Sequence, residues 1–141
     1  GEISISSSDT KVNPKIKMNY LSTDEDRKVA ADGIKLIRKI VMETNEFKKY
    51  EPKEFRPGSH LNDKEEIVKA CSHYAQTIFH PVGTCKMGND DSAVVSDKLK
   101  VHGINKLRVI DASIMPNITS GNTNAPTIMI AEKGADMILN P

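Results

Sequence analysis

Lys106-Leu107-Arg108-Val109-Ile110-Asp111, and after a loop Asn124-Ala125-Pro126-Thr127-Ile128-Met129-Ile130-Ala131-Glu132-Lys133-Gly134-Ala135-Asp136-Met137-Ile138-Leu139, decide how this chain folds. The first stretch reads as a strand, with Leu107, Val109 and Ile110 around Arg108 and a carboxylate at its end. The second reads as a helix capped by Asn124 or Thr123. Pro126 falls in its first turn, where the missing N–H costs no hydrogen bond. Ile128, Met129, Ile130, Ala131, Ala135, Ile138 and Leu139 leave only Glu132, Lys133 and Asp136 for water. Such a helix is expected to be buried on most of its circumference and needs more neighbours than a short chain supplies. Between the two, Asp111 to Gly121 holds Ser113, Pro116, Thr119 and Ser120 and reads as loop.

Upstream, Gly1 to Ser8 alternates Ile3 and Ile5 with polar residues, the pattern of a strand with one buried face. Val12-Asn13-Pro14 interrupts it, and Lys15 to Tyr20 alternates again. Ser22-Thr23-Asp24-Glu25 has the form of a capping box. The helix it opens places Val29, Gly33, Leu36, Ile37, Ile40 and Val41 on one stripe and leaves Lys35, Arg38 and Lys39 wet. Phe47 to Ser59 is charged, carries Pro52, Pro57 and Gly58, and reads as a surface excursion. Asn62 or Asp63 caps a further helix with Ile67, Cys71, Tyr74, Ala75 and Ile78 inward and His73 outside the stripe. Ala93 to Ile104 predicts strand, turn and strand broken at Gly103, with His102 on the surface.

The 141 residues suit one domain. Lys plus Arg number 20 and Asp plus Glu 19, so the net charge of +1 gives no footprint for nucleic acid. No apolar run reaches the roughly 18 residues of a membrane span. The chain has 3 Phe, 3 Tyr and no Trp, too few large rings to finish a core unaided. Cys71 and Cys85 have neither CxxC nor metal-ligand spacing, so both are expected as buried free thiols and no metal site is expected.

The residues able to do chemistry cluster in His80-Pro81-Val82-Gly83-Thr84-Cys85-Lys86-Met87-Gly88 and Asn122-Thr123-Asn124-Ala125-Pro126-Thr127. Histidine, with an ordinary pKa near 6.5 (about), is the side chain best suited to act as a base near neutrality. Gly83 and Gly88 allow a close backbone approach beside it. A helix beginning at Asn124 presents free N–H groups to an anion. Asp111, at the end of a strand, suits a hydrogen bond to a sugar-like hydroxyl. Each also has an ordinary structural explanation: a hydrogen-bonded His before Pro, a helix cap, and a carboxylate holding a turn.

These motifs, with Val101-His102-Gly103-Ile104 and Leu107 through Ser113, resemble the C-terminal part of the glucose–methanol–choline (GMC) oxidoreductases, nearest to the animal glucose-dehydrogenase-like branch. The likeness runs almost unbroken from Phe79 to Ile138 and is looser at Tyr20-Leu21 and Pro57-Gly58. It implies a flavoenzyme that binds FAD and oxidises the CH–OH group of an alcohol or sugar, a proton passing to a base and a hydride to flavin N5. It implies that His80 is that base and that Asn124 fills the second active-site position, His or Asn in the family. It places Asp111 and Ala112 against the cofactor, Asp111 at the ribitol. Asn124, Ala125 and Pro126 would lie at the pyrimidine end of the isoalloxazine, where the helix dipole suits the negative charge of the reduced ring.

One departure is large: the GxGxxG dinucleotide motif of the family is absent. Ser96-Asp97 in place of the usual Asp-Pro touches only a turn. The chain is therefore expected to be a C-terminal portion whose partner is a missing N-terminal FAD-binding part of the same protein. The expected fold class is α+β, a mainly antiparallel sheet with helices on one face. Residues 1–105 would belong to the substrate-binding portion, and 106–141 to a strand and helix returning to the FAD-binding domain. Hydroxynitrile-lyase chemistry on the same scaffold is the alternative, as is a non-catalytic role, and the fragment alone is expected to be inactive. The resemblance leans toward an extracellular protein. The sequon Asn117-Ile118-Thr119 is expected to be unused, because it sits between cofactor-facing motifs.

Overall fold

A computed structural model describes residues 1–140 of the chain. The elements, in order, are β1 (Glu2–Ser4), β2 (Lys15–Lys17), α1 (Asp24–Glu43), α2 (Asn45–Lys48), α3 (Lys64–Tyr74), a single 3-10 turn (Ala112–Ile114) and α4 (Asn124–Leu139). β1 and β2 pair as a two-stranded antiparallel sheet, so the class is α+β as expected. Two compact units are present, one holding Gly1 and residues 17–76, the other residues 2–16 and 77–140.

In the first unit both long helices start as their sequences dictate. Thr23 Oγ1 accepts the Asp26 N–H at 3.1 Å. Asp63 Oδ1 accepts those of Glu65 and Glu66 at 2.8 and 3.3 Å. Side-chain caps of this kind satisfy N–H groups that lack intrahelical partners. α1 packs on α3 through Ala31, Ile67 and Val68, with Ile34, Leu61 and Cys71 around them. The apolar stripe expected to be buried on α1 is instead open: Val29, Leu36 and Ile37 are each more than half exposed. α3 packs on the side of this helix that carries Ala31 and Ile34, and the open residues lie away from that contact. Tyr74, also expected to face inward, is exposed and carries the Arg56 guanidinium over its ring at 4.8 Å; Ile78, in the second unit, is exposed too.

Arg38 is not wet. Its guanidinium makes a two-pronged pair with Glu54 (both contacts 2.9 Å) and donates to the carbonyls of Leu61 and Gly58 at 2.7 and 2.9 Å. Glu54 also accepts the Gly58 N–H at 3.1 Å. The charged segment at 47–59 is thus strapped to α1 and is no free excursion. The Arg38 hydrogen bonds, and then the Gly58 N–H, hold the Glu54 carboxyl below its ordinary value. A carboxylate depressed in this way stabilises the fold fully above its unfolded pKa, and the contribution fades as pH falls through the folded one.

The second unit has one core: Val95, Leu99, Ile114, Met115 and Ile130 are buried, with Val109, Ile110 and Met137 packed against them. Lys106–Asp111 and Ala93–Ile104 do not form the expected strands. They are joined by isolated bridges, Val95 with Val101 and Lys100 with Arg108, and Val95 also pairs with Met87. Each extended run meets its neighbour at one residue pair before turning away, so no ladder grows. Residues on both sides of position 105 share this core. β1 is exposed throughout, without the one buried face its alternation predicts, because only β2 pairs with it. α4 buries only Ile130 and Gly134, while Ile128, Met129, Ile138 and Leu139 are more than half exposed. Both cysteines are free, as expected, but half-buried.

Two expectations follow for urea unfolding of the chain. A Cβ on Gly134 would lie 2.4 Å from Ile110 Cγ2, a stiff branch, so Gly134→Ala should destabilise by about 1–2 kcal/mol despite better helix propensity. Gly33, with nothing within 4 Å, should gain about 0.5–1 kcal/mol as Ala. In a separate acid titration, Glu54→Gln should flatten the loss of stability below its ordinary pKa of 4.5 compared with the unaltered chain.

Candidate active site

The two functional stretches converge. His80, half-buried, places Nδ1 2.8 Å from Oγ1 of Thr123, a contact that spans 43 residues of sequence. Thr123 immediately precedes α4, so the imidazole sits at the N-terminus of that helix, beside Asn124. The backbone around His80 is constrained on both sides. Phe79 adopts φ 65, a left-handed conformation uncommon outside glycine, and its N–H is held by Thr77 Oγ1 at 3.0 Å. Gly83 lies at φ 89, where a side chain would be strained, and the site of its missing Cβ is 3.4 Å from the Met115 carbonyl.

The segment after His80 runs along the Asp111 turn. Cys85 N–H donates to Ser113 O at 3.0 Å and Met87 N–H to Ile114 O at 2.8 Å. Further on, Asp90 accepts from the Ser92 N–H and hydroxyl and from Lys86. The Ser92 hydroxyl, then Lys86, holds its carboxyl well below the usual carboxylate range. His102 lies on the surface as expected, its Nε2 3.0 Å from the Gly88 carbonyl. Asp111 begins the 3-10 turn with extended backbone, and its Oδ1 takes both the Ser113 N–H (2.8 Å) and the Ser113 hydroxyl. Asp111 is exposed, and no described residue hydrogen-bonds to its second oxygen. Ala112 is half-buried beneath it against the core.

The start of α4 differs from the starts of α1 and α3. Thr123 has helical angles (φ −83, ψ −1) and makes no side-chain cap. The first backbone bond of the helix runs from Thr127 N to Thr123 O at 3.0 Å. Pro126 has no N–H, so the unclaimed backbone donors of this first turn are those of Asn124 and Ala125. Both residues are exposed among the described residues, and Pro126 is half-buried. A neutral donor cluster at the positive end of a helix dipole can receive an anionic or electron-rich group.

Every site residue named from the sequence thus falls in the second unit, with His80 and Asn124 at one helix end and Asp111 and Ala112 on the neighbouring turn. The sequence offers Thr123 as a cap or as one donor in the Gly121-Asn122-Thr123-Asn124 loop, not as the partner of His80. Nothing local reveals its partner, and only the GNTN loop hints at a donor-rich place. A broad, open depression lies near the other end of α4, lined in part by Ile104, Leu107, Arg108 and Ile138. At 1.5 Å per residue Ile138 is about 21 Å along the helix from Asn124, so this depression is not the wall of the His80 site. Among the described residues no cluster of His, Cys, Asp and Glu could hold a metal.

This small α+β fold is the one found in domains of GMC oxidoreductases. The family model described as GMC oxidoreductase matches residues 1–131, and the chain belongs to that family. It is 47% identical over 138 residues, 98% of the chain, to an oxygen-dependent choline dehydrogenase of Pseudomonas putida. It is 46% identical over 139 residues to an alcohol dehydrogenase [acceptor] of the same species. Among solved structures, pyridoxine 4-oxidase from Mesorbium loti superposes with a TM-score of 0.88 at 32% identity, covering 99% of this chain and 27% of that one. Formate oxidase of Aspergillus oryzae RIB40, studied for FAD modification, gives 0.85 at 34% identity, covering 96% and 24%. The chain spans about a quarter of the length of the relatives it matches, 24% and 25% for the two dehydrogenases.

Because Asp111 also caps its turn, Asp111→Ala should cost about 1 kcal/mol in urea unfolding of this chain alone, independent of any ligand. A variant as stable as the parent would show that the Ser113 contacts are not maintained in solution.

Proposed function

We propose that this chain is the C-terminal quarter of an FAD-dependent oxidoreductase that oxidises the CH–OH group of a small alcohol. The observation that carries the reading is the His80–Thr123 contact, which sets an imidazole beside an uncapped helix start. The residues fit FAD. The N–H groups of Asn124 and Ala125 and the amide of Asn124 suit the electron-rich pyrimidine edge of a flavin, and the exposed oxygen of Asp111 suits a ribitol hydroxyl. Bound FAD supplies a hydride acceptor, which no amino-acid side chain can be. Nε2 of His80 takes the hydroxyl proton of the substrate as general base, while the Asn124 amide orients the substrate oxygen. The helix dipole of α4 favours the negative charge that reduction leaves near its N-terminus.

An N-terminal FAD-binding part of the same protein is the partner in this reading. It would cover Ile128, Met129, Ile138 and Leu139, whose exposure on α4 would otherwise be unfavourable. In the longer protein, residues 1–105 belong to the substrate-binding portion and 106–141 return to the FAD-binding domain. The relatives named as choline and alcohol dehydrogenases make these alcohols the first to assay. The resemblance to the glucose-dehydrogenase-like branch keeps a sugar as the next, and an extracellular location as the one to test by fractionation.

In the full-length flavoprotein, His80→Ala should keep its yellow FAD yet lose at least about a hundredfold in the rate of anaerobic bleaching by substrate. Near-normal bleaching in the variant would remove His80 from the chemistry. A parent protein that cleaves a hydroxynitrile but is never bleached by an alcohol would favour the lyase reading.

A further inference from the structure

Thr123 is 7% exposed, and its hydroxyl neither caps α4 nor hydrogen-bonds to any described residue besides His80. Its backbone is tied into the helix. The Thr123 carbonyl accepts both the Thr127 N–H, at 3.0 Å, and the Thr127 hydroxyl, at 2.7 Å. Thr23, the corresponding residue of α1, has extended backbone and spends its oxygen on the helix. Thr123 has turned into the helical region, which takes its oxygen off the cap and toward the imidazole.

A neutral imidazole has one donor and one acceptor nitrogen, so the role of Nδ1 fixes that of Nε2. No described residue makes a hydrogen bond to Nε2, which leaves it for a group from outside the chain. We propose that Thr123 is a positioning residue: its Oγ1 accepts the Nδ1–H bond and so holds His80 as the tautomer whose Nε2 carries a lone pair. This rests on His80 being the base. When the hydroxyl proton of the substrate moves to Nε2, Nδ1 keeps its own proton and still donates to Thr123. The hydrogen bond therefore serves both charge states without rearrangement. A Thr123 hydroxyl donating to Nδ1 would put the proton on Nε2, and that nitrogen could accept nothing.

The test uses the full-length flavoprotein labelled with 15N-histidine, the His80 signals being assigned by their loss in His80→Ala. The neutral ring should show the Nδ1-protonated tautomer, and Thr123→Val should redistribute it. In anaerobic stopped-flow, Thr123→Val should slow flavin reduction by roughly 10- to 100-fold with the substrate dissociation constant within about twofold, and Thr123→Ser should recover most of the rate. An Nε2-protonated ring in the parent protein overturns the proposal, as does a Thr123→Val protein that reduces its flavin at the parent rate while His80→Ala is inert. If Thr123→Val loses its FAD, the tautomer in the parent protein decides. If His80→Ala itself reduces flavin normally, the base reading falls and this inference with it, an outcome distinct from failure of the Thr123 contact alone.

Discussion

The Thr123 hydroxyl could meet the first turn of α4 or the ring of His80, and the Thr123 backbone conformation turns it to the ring. Had Thr123 curled back to cap the helix, as Thr23 and Asp63 do, its oxygen would have met an N–H of the first turn and His80 would have lost its partner. Its helical backbone excludes that. The consequence is paired: the imidazole is fixed at the helix end, and the N–H groups of Asn124 and Ala125 stay available. A cap is worth about 1 kcal/mol, so leaving it unmade is a local cost of ordinary size. Costs of that kind are often found where a site needs backbone donors for something other than the chain itself.

Helix starts were legible because their determinants are local. Thr23 and the Asn62-Asp63 pair announce caps within four residues, and the structure selects Asp63 of the second pair. The strands were not legible in the same way. Leu107, Val109 and Ile110 carry the right residue types, yet a ladder needs a neighbour that runs alongside for several residues, and Lys100 is the single bridge partner in this segment. The apolar stripe of α1 was read correctly as a pattern and wrongly as burial, for periodicity says which face is greasy and not what covers it. Arg38 reads as a solvent-facing residue for a related reason. Its partner Glu54 lies in a segment without periodicity, so the strap that orders residues 47–59 left no trace in the spacing.

In the site, the sequence named both ends of the contact region but not the contact. His80 and Asn124 were found as residue types in suggestive company, and the resemblance supplied their pairing. The atom that brings them together belongs to Thr123, whose role depends on a backbone angle that no composition reveals. Asp111 shows the opposite case, where both readings hold at once. One oxygen holds the turn, as an ordinary strand-end carboxylate would, and the other remains exposed.

The register of α4 along its own axis then governs the site from a distance. Gly134 lets Ile110 approach more closely than any side chain would allow, and Ile110 belongs to the segment that leads into Asp111. Arg108, two residues earlier, donates to the Met137 carbonyl at 3.3 Å and to that of Lys98, which ties the far end of the helix to the same core. Thr123 is eleven residues before Gly134, about 16 Å along the axis. A helix held at both Gly134 and Met137 has little freedom to slide, and a slide of one residue's rise would stretch a 2.8 Å hydrogen bond past its useful range. Packing at the apolar end of α4 thus fixes the position of the hydroxyl that meets His80 at the other.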